Sequence, residues 1–158
     1  MSPGPIMSRV AIPTWCIAVV LVKRGDRFLL VHERKHGQLW YLPAGRVEPG
    51  ETFAEGALRE TLEETGVPVE IEGILRIEHT PSAREARLRV VFLARPVGDT
   101  PPKSVPDEHS LEARWFTLKE LKRLPLRGPD VVWYCDGVLA GAPVFPLSLL
   151  GIEGEPLL

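Results

Sequence analysis

The clearest apolar run in the chain is Thr14 to Val22 (TWCIAVVLV), β-branched and apolar throughout, which predicts a buried strand. Lys23-Arg24-Gly25-Asp26 has the composition of a hairpin turn, and Arg27 to Arg34 (RFLLVHER) follows as the partner strand. Gln38 to Leu42 reads as a short strand stopped by Pro43, and Glu48-Pro49-Gly50-Glu51 as a loop. The period then changes. Thr52 and Glu55 form a capping box, so a helix begins near Phe53; Gly66 supplies the residue after its last turn, and Pro68 prevents continuation. Ala54, Leu58, Leu62 and Phe53, Ala57, Thr61 are the expected buried positions of this helix, with the acids on the other side.

Further on, Val69 to Thr80 and Ala86 to Ala94 predict two strands joined by the polar loop Pro81 to Glu85. Pro96 to Pro106 is proline-rich and irregular. Leu111 to Phe116 predicts another strand, Thr117 caps a short helix over Leu118 to Leu124, and Pro129 opens a C-terminal helix reaching Leu139. Residues 9–145 are read as a single domain between an N-terminal tail (residues 1–8, with Met7 an alternative start) and a C-terminal tail (residues 146–158).

The helix carries the chemistry. Glu60, Glu63 and Glu64 stand at i, i+3 and i+4, so their carboxylates share one face, where each like-charge pair costs about 0.2–0.5 kcal/mol in an isolated helix. A hard divalent cation taking oxygen ligands, Mg²⁺ or Mn²⁺, is the simplest counter-charge. Gly56, one turn before Glu60, either clears space for a ligand or is tolerated at an exposed site.

Composition narrows the class. The 158 residues are 44% hydrophobic and 25% charged, ordinary for one globular domain, and a net charge of −2 gives no general attraction for nucleic acid or anionic membrane. Trp15 to Val22 is too short to span a bilayer, and the first eight residues do not read as a signal peptide. Cys16 and Cys135 read as free thiols rather than a disulfide, which fits a reducing, cytoplasmic compartment.

Gly45, Glu51, Arg59, Glu60, Glu63, Glu64 and Gly66 stand in the order G-x5-E-x7-R-E-x2-E-E-x-G, a pattern met by chance in roughly one window in 10⁸. It resembles the box of the Nudix hydrolases, with Thr61 where that family usually has a bulkier aliphatic residue. The resemblance extends from Trp15 to Trp133. The flanks WYLPAGR, LRVVFLARP and LEARWF are similar to the subgroup containing the human hydrolase of oxidised guanine nucleoside diphosphates. It implies an α+β chain with the Nudix fold, an α/β/α sandwich with a mixed β-sheet and the box as loop-helix-loop.

The same resemblance implies an Mg²⁺-dependent (or Mn²⁺-dependent) hydrolase of phosphoanhydride bonds in a nucleoside di- or triphosphate, an oxidised one included. Glu60 and Glu64 would be metal ligands, with Glu63 a third or a support, and the Ala44 carbonyl would join them. Arg59 would orient a carboxylate such as Glu51. Gly45, Glu51 and Gly66 would be structural. The catalytic base is either a box glutamate or a downstream one, with Glu108 preferred and Glu85 and Glu112 as alternatives, although solvated surface acid is the ordinary state of each. Arg46 and Arg34 are candidates for phosphate, Trp40, Tyr41 and Phe92 for base stacking, although core packing is the commoner role of strand aromatics. His109 is the one histidine beside a candidate acid. Pro81 motivates an alternative, an ADP-ribose or nucleotide-sugar pyrophosphatase; a third reading is a nucleotide-sensing module without catalysis. The partner expected is a small nucleotide, with no nucleic acid or membrane, on a monomer or homodimer.

Overall fold

A computed structural model of the chain describes residues 1–4 and 9–157. The alternative start at Met7 and half of the expected N-terminal tail lie outside the described residues. The first strand, β1 (Thr14–Arg24), explains the unbroken apolar run, because both its faces are covered. Ala18, Val20 and Val22 pack with Ala57 and Phe92 on one side; Val19 and Leu21 pack with Leu121, Val131 and Cys135 on the other.

Gly25, at φ +60°, makes the turn into β2 (Arg27–His32). The hairpin pairs only at Lys23↔Phe28 and Arg24↔Arg27 before its strands diverge. The vacated edge of β1 is taken by β4 (Ala44–Arg46), antiparallel at Ile17↔Arg46, Ala18↔Gly45 and Val19↔Ala44. Its other edge pairs in parallel with β6 (Ala86–Pro96), which pairs antiparallel with β5 (Val69–Pro81). β2 meanwhile pairs with β3 (Trp40–Tyr41) and β7 (Glu112–Thr117). The result is a mixed seven-stranded sheet, order β3-β2-β1-β6-β5, with β4 beside β1 and β7 beside β2. Helix α1 (Phe53–Thr65) covers one face; α2 (Leu118–Leu121) and α3 (Asp130–Leu139) cover the other. This is the expected sandwich.

Helix α1 starts and stops where the capping signals place it. Thr52 Oγ1 accepts from Glu55 N at 3.1 Å, and Gly66 takes the left-handed conformation at φ 72° while its N–H bonds Leu62 O. Three expectations fail. The box begins in a strand, β4, rather than a loop, and α2 is a single turn rather than Leu118 to Leu124. The third failure matters most. Leu58 and Leu62 are 42% and 52% exposed, whereas Gly56, Ala57, Thr61, Glu64 and Thr65 face inward. Two of the buried polar groups are satisfied locally: Thr61 Oγ1 bonds Ala57 O at 2.7 Å and Thr65 Oγ1 bonds Thr61 O at 2.6 Å. Gly56 is not at an exposed site but buried against the protein itself; a Cβ there would lie 3.0 Å from Glu51 Oε1 and 3.3 Å from Val47 Cγ2.

Past α3, Phe145 pairs with Ile74 through two backbone hydrogen bonds of 2.8 Å, and a 3₁₀ turn follows at Leu147–Leu149. Cys16 and Cys135 are free, and burial pushes the Cys135 thiol up to about 12. Among the described residues no helix is long and apolar enough to cross a membrane.

Because Leu58 and Leu62 project outward, replacing either by alanine is expected to change unfolding free energy by no more than about 0.5 kcal/mol, against roughly 3–5 kcal/mol for Phe92→Ala in the core. Urea unfolding measures both. A Leu62→Ala loss approaching that of Phe92→Ala would contradict this orientation of α1.

Candidate active site

The site forms where the acidic side of α1 meets β4. Strand β4 bonds β1 at alternate residues, as Val20 N–H to Pro43 O (2.9 Å) and Val47 N–H to Cys16 O (2.8 Å) show on either side of the Ala18↔Gly45 pair. The backbone polar groups of Ala44 and Arg46 are therefore turned away from β1, toward the helix. Two are used: Ala44 N–H donates to Glu64 Oε1 at 2.8 Å, and Arg46 O accepts from Arg59 Nη2 at 3.1 Å. Gly45 between them leaves room for a side chain. A Cβ there would fall 2.1 Å from the carboxyl carbon of Glu60, so Glu60 lies against the bare backbone.

Arg59 organises the remaining acids. Its Nε and Nη2 grip Glu51 Oε2 and Oε1 at 2.8 and 2.9 Å, a two-pronged pair, while Nη1 reaches Glu60 Oε1 at 2.9 Å and Glu63 Oε2 at 3.2 Å. Glu48 N–H adds a third donor to Glu51 at 3.0 Å. The Arg59 bonds, then that N–H, hold the Glu51 carboxyl down to about 2. Glu60 and Glu64 move the other way. Burial raises Glu60 despite Arg59, and raises Glu64 well above the usual carboxylate range; the Ala44 N–H offsets part of this, while Glu60 and Glu33 add to it.

Of these acids Glu64 lines the adjoining cleft of about 940 Å³, together with Ala44, Gly45 and Arg46 and, among the other expected candidates, Arg34, Glu85 and Glu108; Glu51, Arg59, Glu60 and Glu63 are not in its lining. Arg46 stacks 3.9 Å over the Trp15 ring, and Trp15 Nε1 donates to Glu85 at 3.0 Å. Glu108 stands at the rim, its side chain 86% exposed and 3.4 Å from His109 Nε2, whose Nδ1 is 3.7 Å from Glu63 Oε2. Glu112 is paired with Arg114 at 2.8 Å, outside the cleft lining.

Two expected substrate residues are not in the cleft. Phe92 is wholly buried beneath α1, and Trp40 is stacked on His32 at 4.6 Å and edge-on to Phe116 at 5.1 Å in the opposite core. Packing takes the strand aromatics because the seventh position of β6 and the start of β3 both point into a layer between sheet and helix. Tyr41 does reach the cleft wall. Its hydroxyl bonds Asp130 and accepts from Arg89 Nη2 at 3.0 Å, and Arg127 lies 4.0 Å over its ring.

Glu33, Arg127, Arg89 and Asp130 belong to the cleft and carried no motif. Glu33 pairs with Arg127 at 3.2 Å through Oε2, while Oε1 is buried without a hydrogen-bond partner. Its signal in the sequence was a charge ending the apolar strand FLLVH; that of Asp130 was an acid in the first turn of α3.

The donor set fits a hard cation: carboxylates of Glu60, Glu63 and Glu64 and the helix-facing carbonyl of Ala44, all oxygen. Two of those acids are desolvated next to each other, which is unfavourable without a positive charge. Among the described residues no three His, Cys, Asp or Glu side chains converge closely enough to hold an ion as they stand. Arg59 Nη1 lies between Glu60 and Glu63, so a bound ion requires those carboxylates to turn from it.

Glu64 gives a signed stability prediction. A carboxylate raised by burial destabilises the fold as pH climbs above its unfolded value of 4.5. In EDTA at pH 7.5 Glu64→Gln, which keeps the Ala44 hydrogen bond, should be more stable than wild type by on the order of 1 kcal/mol, the gap closing near pH 4.5. Glu51 has the opposite sign: the wild-type advantage over Glu51→Gln, about 2 kcal/mol at neutral pH, should disappear as pH falls from 4.5 toward 2. Denaturant titrations across pH read both, and equal pH profiles for the two variants would refute the assignment.

Comparison with known proteins accords with this arrangement. Residues 13–136 match the family model described as NUDIX domain. The chain is 38% identical over 133 residues to the human 8-oxo-dGDP phosphatase NUDT18, covering 82% of this chain and 40% of that one. It is 32% identical over 117 residues to the NAD-capped RNA hydrolase NudC of Pectobacterium carotovorum, covering 72% of this chain and 42% of the relative. The chain thus spans less than half the length of these curated relatives. A NUDIX hydrolase from Nitrosomonas europaea superposes with a TM-score of 0.75 at 29% identity, over 90% of this chain and 99% of that one. With the family pattern matched over most of its length and the acidic helix docked on β4, the chain belongs to the NUDIX domain family.

Proposed function

We propose that this chain is a Mg²⁺- or Mn²⁺-dependent hydrolase that cleaves a phosphoanhydride bond of a nucleoside di- or triphosphate, with 8-oxo-guanine nucleotides as the first candidates. The observation that carries the reading is the burial of Glu60 and Glu64 against the Ala44–Gly45 backbone, where Glu64, Ala44 and Gly45 line an open cleft. Solvated acids on a helix need no partner; desolvated, mutually repelling ones do. A divalent cation bound there would neutralise phosphate oxygens and activate water. Ala44, Glu60, Glu63 and Glu64 would hold it, and Arg59 would fix the frame through Glu51 rather than touch substrate. Arg34, Arg46, Arg87, Arg89 and Arg127 line the same cleft and would bind the remaining phosphates.

The 8-oxo-guanine choice rests on the human relative, whose name states an 8-oxo-dGDP phosphatase activity. The ADP-ribose alternative has less support, since Pro81 ends β5 at an exposed position outside the cleft lining. A net charge of −2 argues against a long polyanion as substrate, and the two free thiols fit a cytoplasmic setting.

Purified protein with Mg²⁺ should turn over 8-oxo-dGDP or 8-oxo-dGTP in preference to ADP-ribose, dinucleoside polyphosphates and NADH. Glu64→Gln should lose about two orders of magnitude in rate. Full activity in Glu64→Gln would remove it from the metal site, and no turnover of any nucleotide by the wild type would leave a binding module.

A further inference from the structure

The last turn of α1 is capped almost wholly by one distant segment, the chain between β6 and β7. An α-helix ends with four carbonyls that have no partner within the helix. In α1, Leu62 O is taken by Gly66 N–H at 2.9 Å. The other three go to residues 103 and 110: Glu63 O to Lys103 Nζ at 2.5 Å, Glu64 O to Ser110 Oγ at 2.6 Å, and Thr65 O to Lys103 N–H at 2.7 Å. Lys103 is a lysine with its side chain only 11% exposed.

The same ammonium binds the turn that follows it. Lys103 Nζ donates to Asp107 Oδ1 at 2.8 Å and to Ser110 Oγ at 2.9 Å. Asp107 Oδ1 in turn accepts the N–H groups of His109 (2.9 Å) and Ser110 (3.2 Å). Three acceptor groups around a side chain with three donors suit an ammonium and would not suit a planar guanidinium. The turn so held carries Glu108 and His109, and sets His109 Nδ1 3.7 Å from Glu63 Oε2.

We propose that Lys103 is a positioning residue. Its ammonium ties the Asp107–Ser110 turn to the end of α1, so the rim groups Glu108 and His109 keep a fixed distance from the carboxylates of Glu63 and Glu64. This builds on the hydrolase reading above. A misplacement of about 1 Å at a reacting centre is enough to slow turnover on the order of a hundredfold, whereas four of the five arginines that would bind phosphate, Arg46, Arg87, Arg89 and Arg127, lie elsewhere in the cleft and only Arg34 meets the turn, donating to Asp107 O at 3.0 Å. Lys103→Met should therefore lower kcat about 10- to 100-fold and leave KM within about threefold.

A simple helix cap would behave differently, and Thr52→Ala provides the comparison. It removes the N-terminal cap of α1 and leaves the Lys103 tie intact. Thr52→Ala should lose stability with kcat nearly unchanged; Lys103→Met should lose kcat while still folded. Lys103→Cys alkylated with 2-bromoethylamine restores an ammonium at the same reach and should recover most of the lost kcat, with wild type treated alongside to account for Cys16. Hydrogen exchange of the backbone amides of residues 107–111 should quicken in Lys103→Met, and this readout needs no substrate. If Lys103→Met fails to fold, Asp107→Asn, which loosens the turn but leaves Lys103 on α1, should give the same kcat-selective loss. Unchanged exchange at 107–111, a kcat equal to wild type, or no recovery on alkylation would each overturn the tie. Absence of turnover in the wild type would instead refute the hydrolase reading, and exchange alone would then decide the tie.

Discussion

The arrangement depends on a helix that buries its charged side. Turning Leu58 and Leu62 to water and Glu60 and Glu64 to the sheet is unfavourable by burial alone, since it leaves apolar area exposed and desolvates two acids. What reverses the preference is β4. Its alternation turns one N–H and one carbonyl toward α1, Gly45 lets the Glu60 carboxylate lie on the backbone, and Gly56 and Ala57 let the helix approach closely. The hydroxyls of Thr61 and Thr65 bond within the helix, so the inward face carries few unsatisfied groups.

That geometry divides the acids into two kinds. Glu51 is compensated: Arg59 holds both of its oxygens, and its carboxyl is pulled down to about 2. Glu60 and Glu64 are under-compensated, because one guanidinium already shared among Glu51, Glu60 and Glu63 does not reach Glu64. A structural ion-pair network would balance every member. Here the imbalance centres on Glu64, which lines the cleft, and on Glu60 beside it. Arg59 stabilises the frame and leaves the charge deficit where a cation can approach.

Local signals in the chain read well and nonlocal ones did not. Thr52, Gly66 and Pro68 place the ends of α1 because capping is a matter of a few neighbouring residues. The strands Thr14 to Val22, Val69 to Thr80 and Ala86 to Ala94 were legible from their composition. The inward face of α1 was read correctly at Ala57 and Thr61 and wrongly at Leu58 and Leu62, because hydrophobic periodicity assumes that the apolar side is the buried one, and β4, which decides otherwise, looked like loop. Phe92 and Trp40 show the same gap: aromatic character was visible, the layer each points into was not. Lys103 carries no pattern at all and Glu33 only a charge after an apolar strand, since each gets its role from partners that sequence separation conceals.

A division of labour between local and distant residues follows. The acids, their arginine and their glycines lie within twenty-odd residues of chain, so a short motif can specify a reaction centre. The rest of the cleft is assembled from Glu33 after β2, Tyr41 on β3, Arg89 on β6, and Arg127 and Asp130 at the start of α3. These are bonded to one another in a continuous chain: Glu33 to Arg127, Arg127 over Tyr41, Tyr41 to Asp130 and Arg89. A change at any one of them is therefore felt by several others, and through Glu33 and Arg127 by the Glu64 carboxylate as well, although the frame of that carboxylate is held by β4. The segment from Lys103 to Ser110 belongs to the rim and to the end of α1 at once.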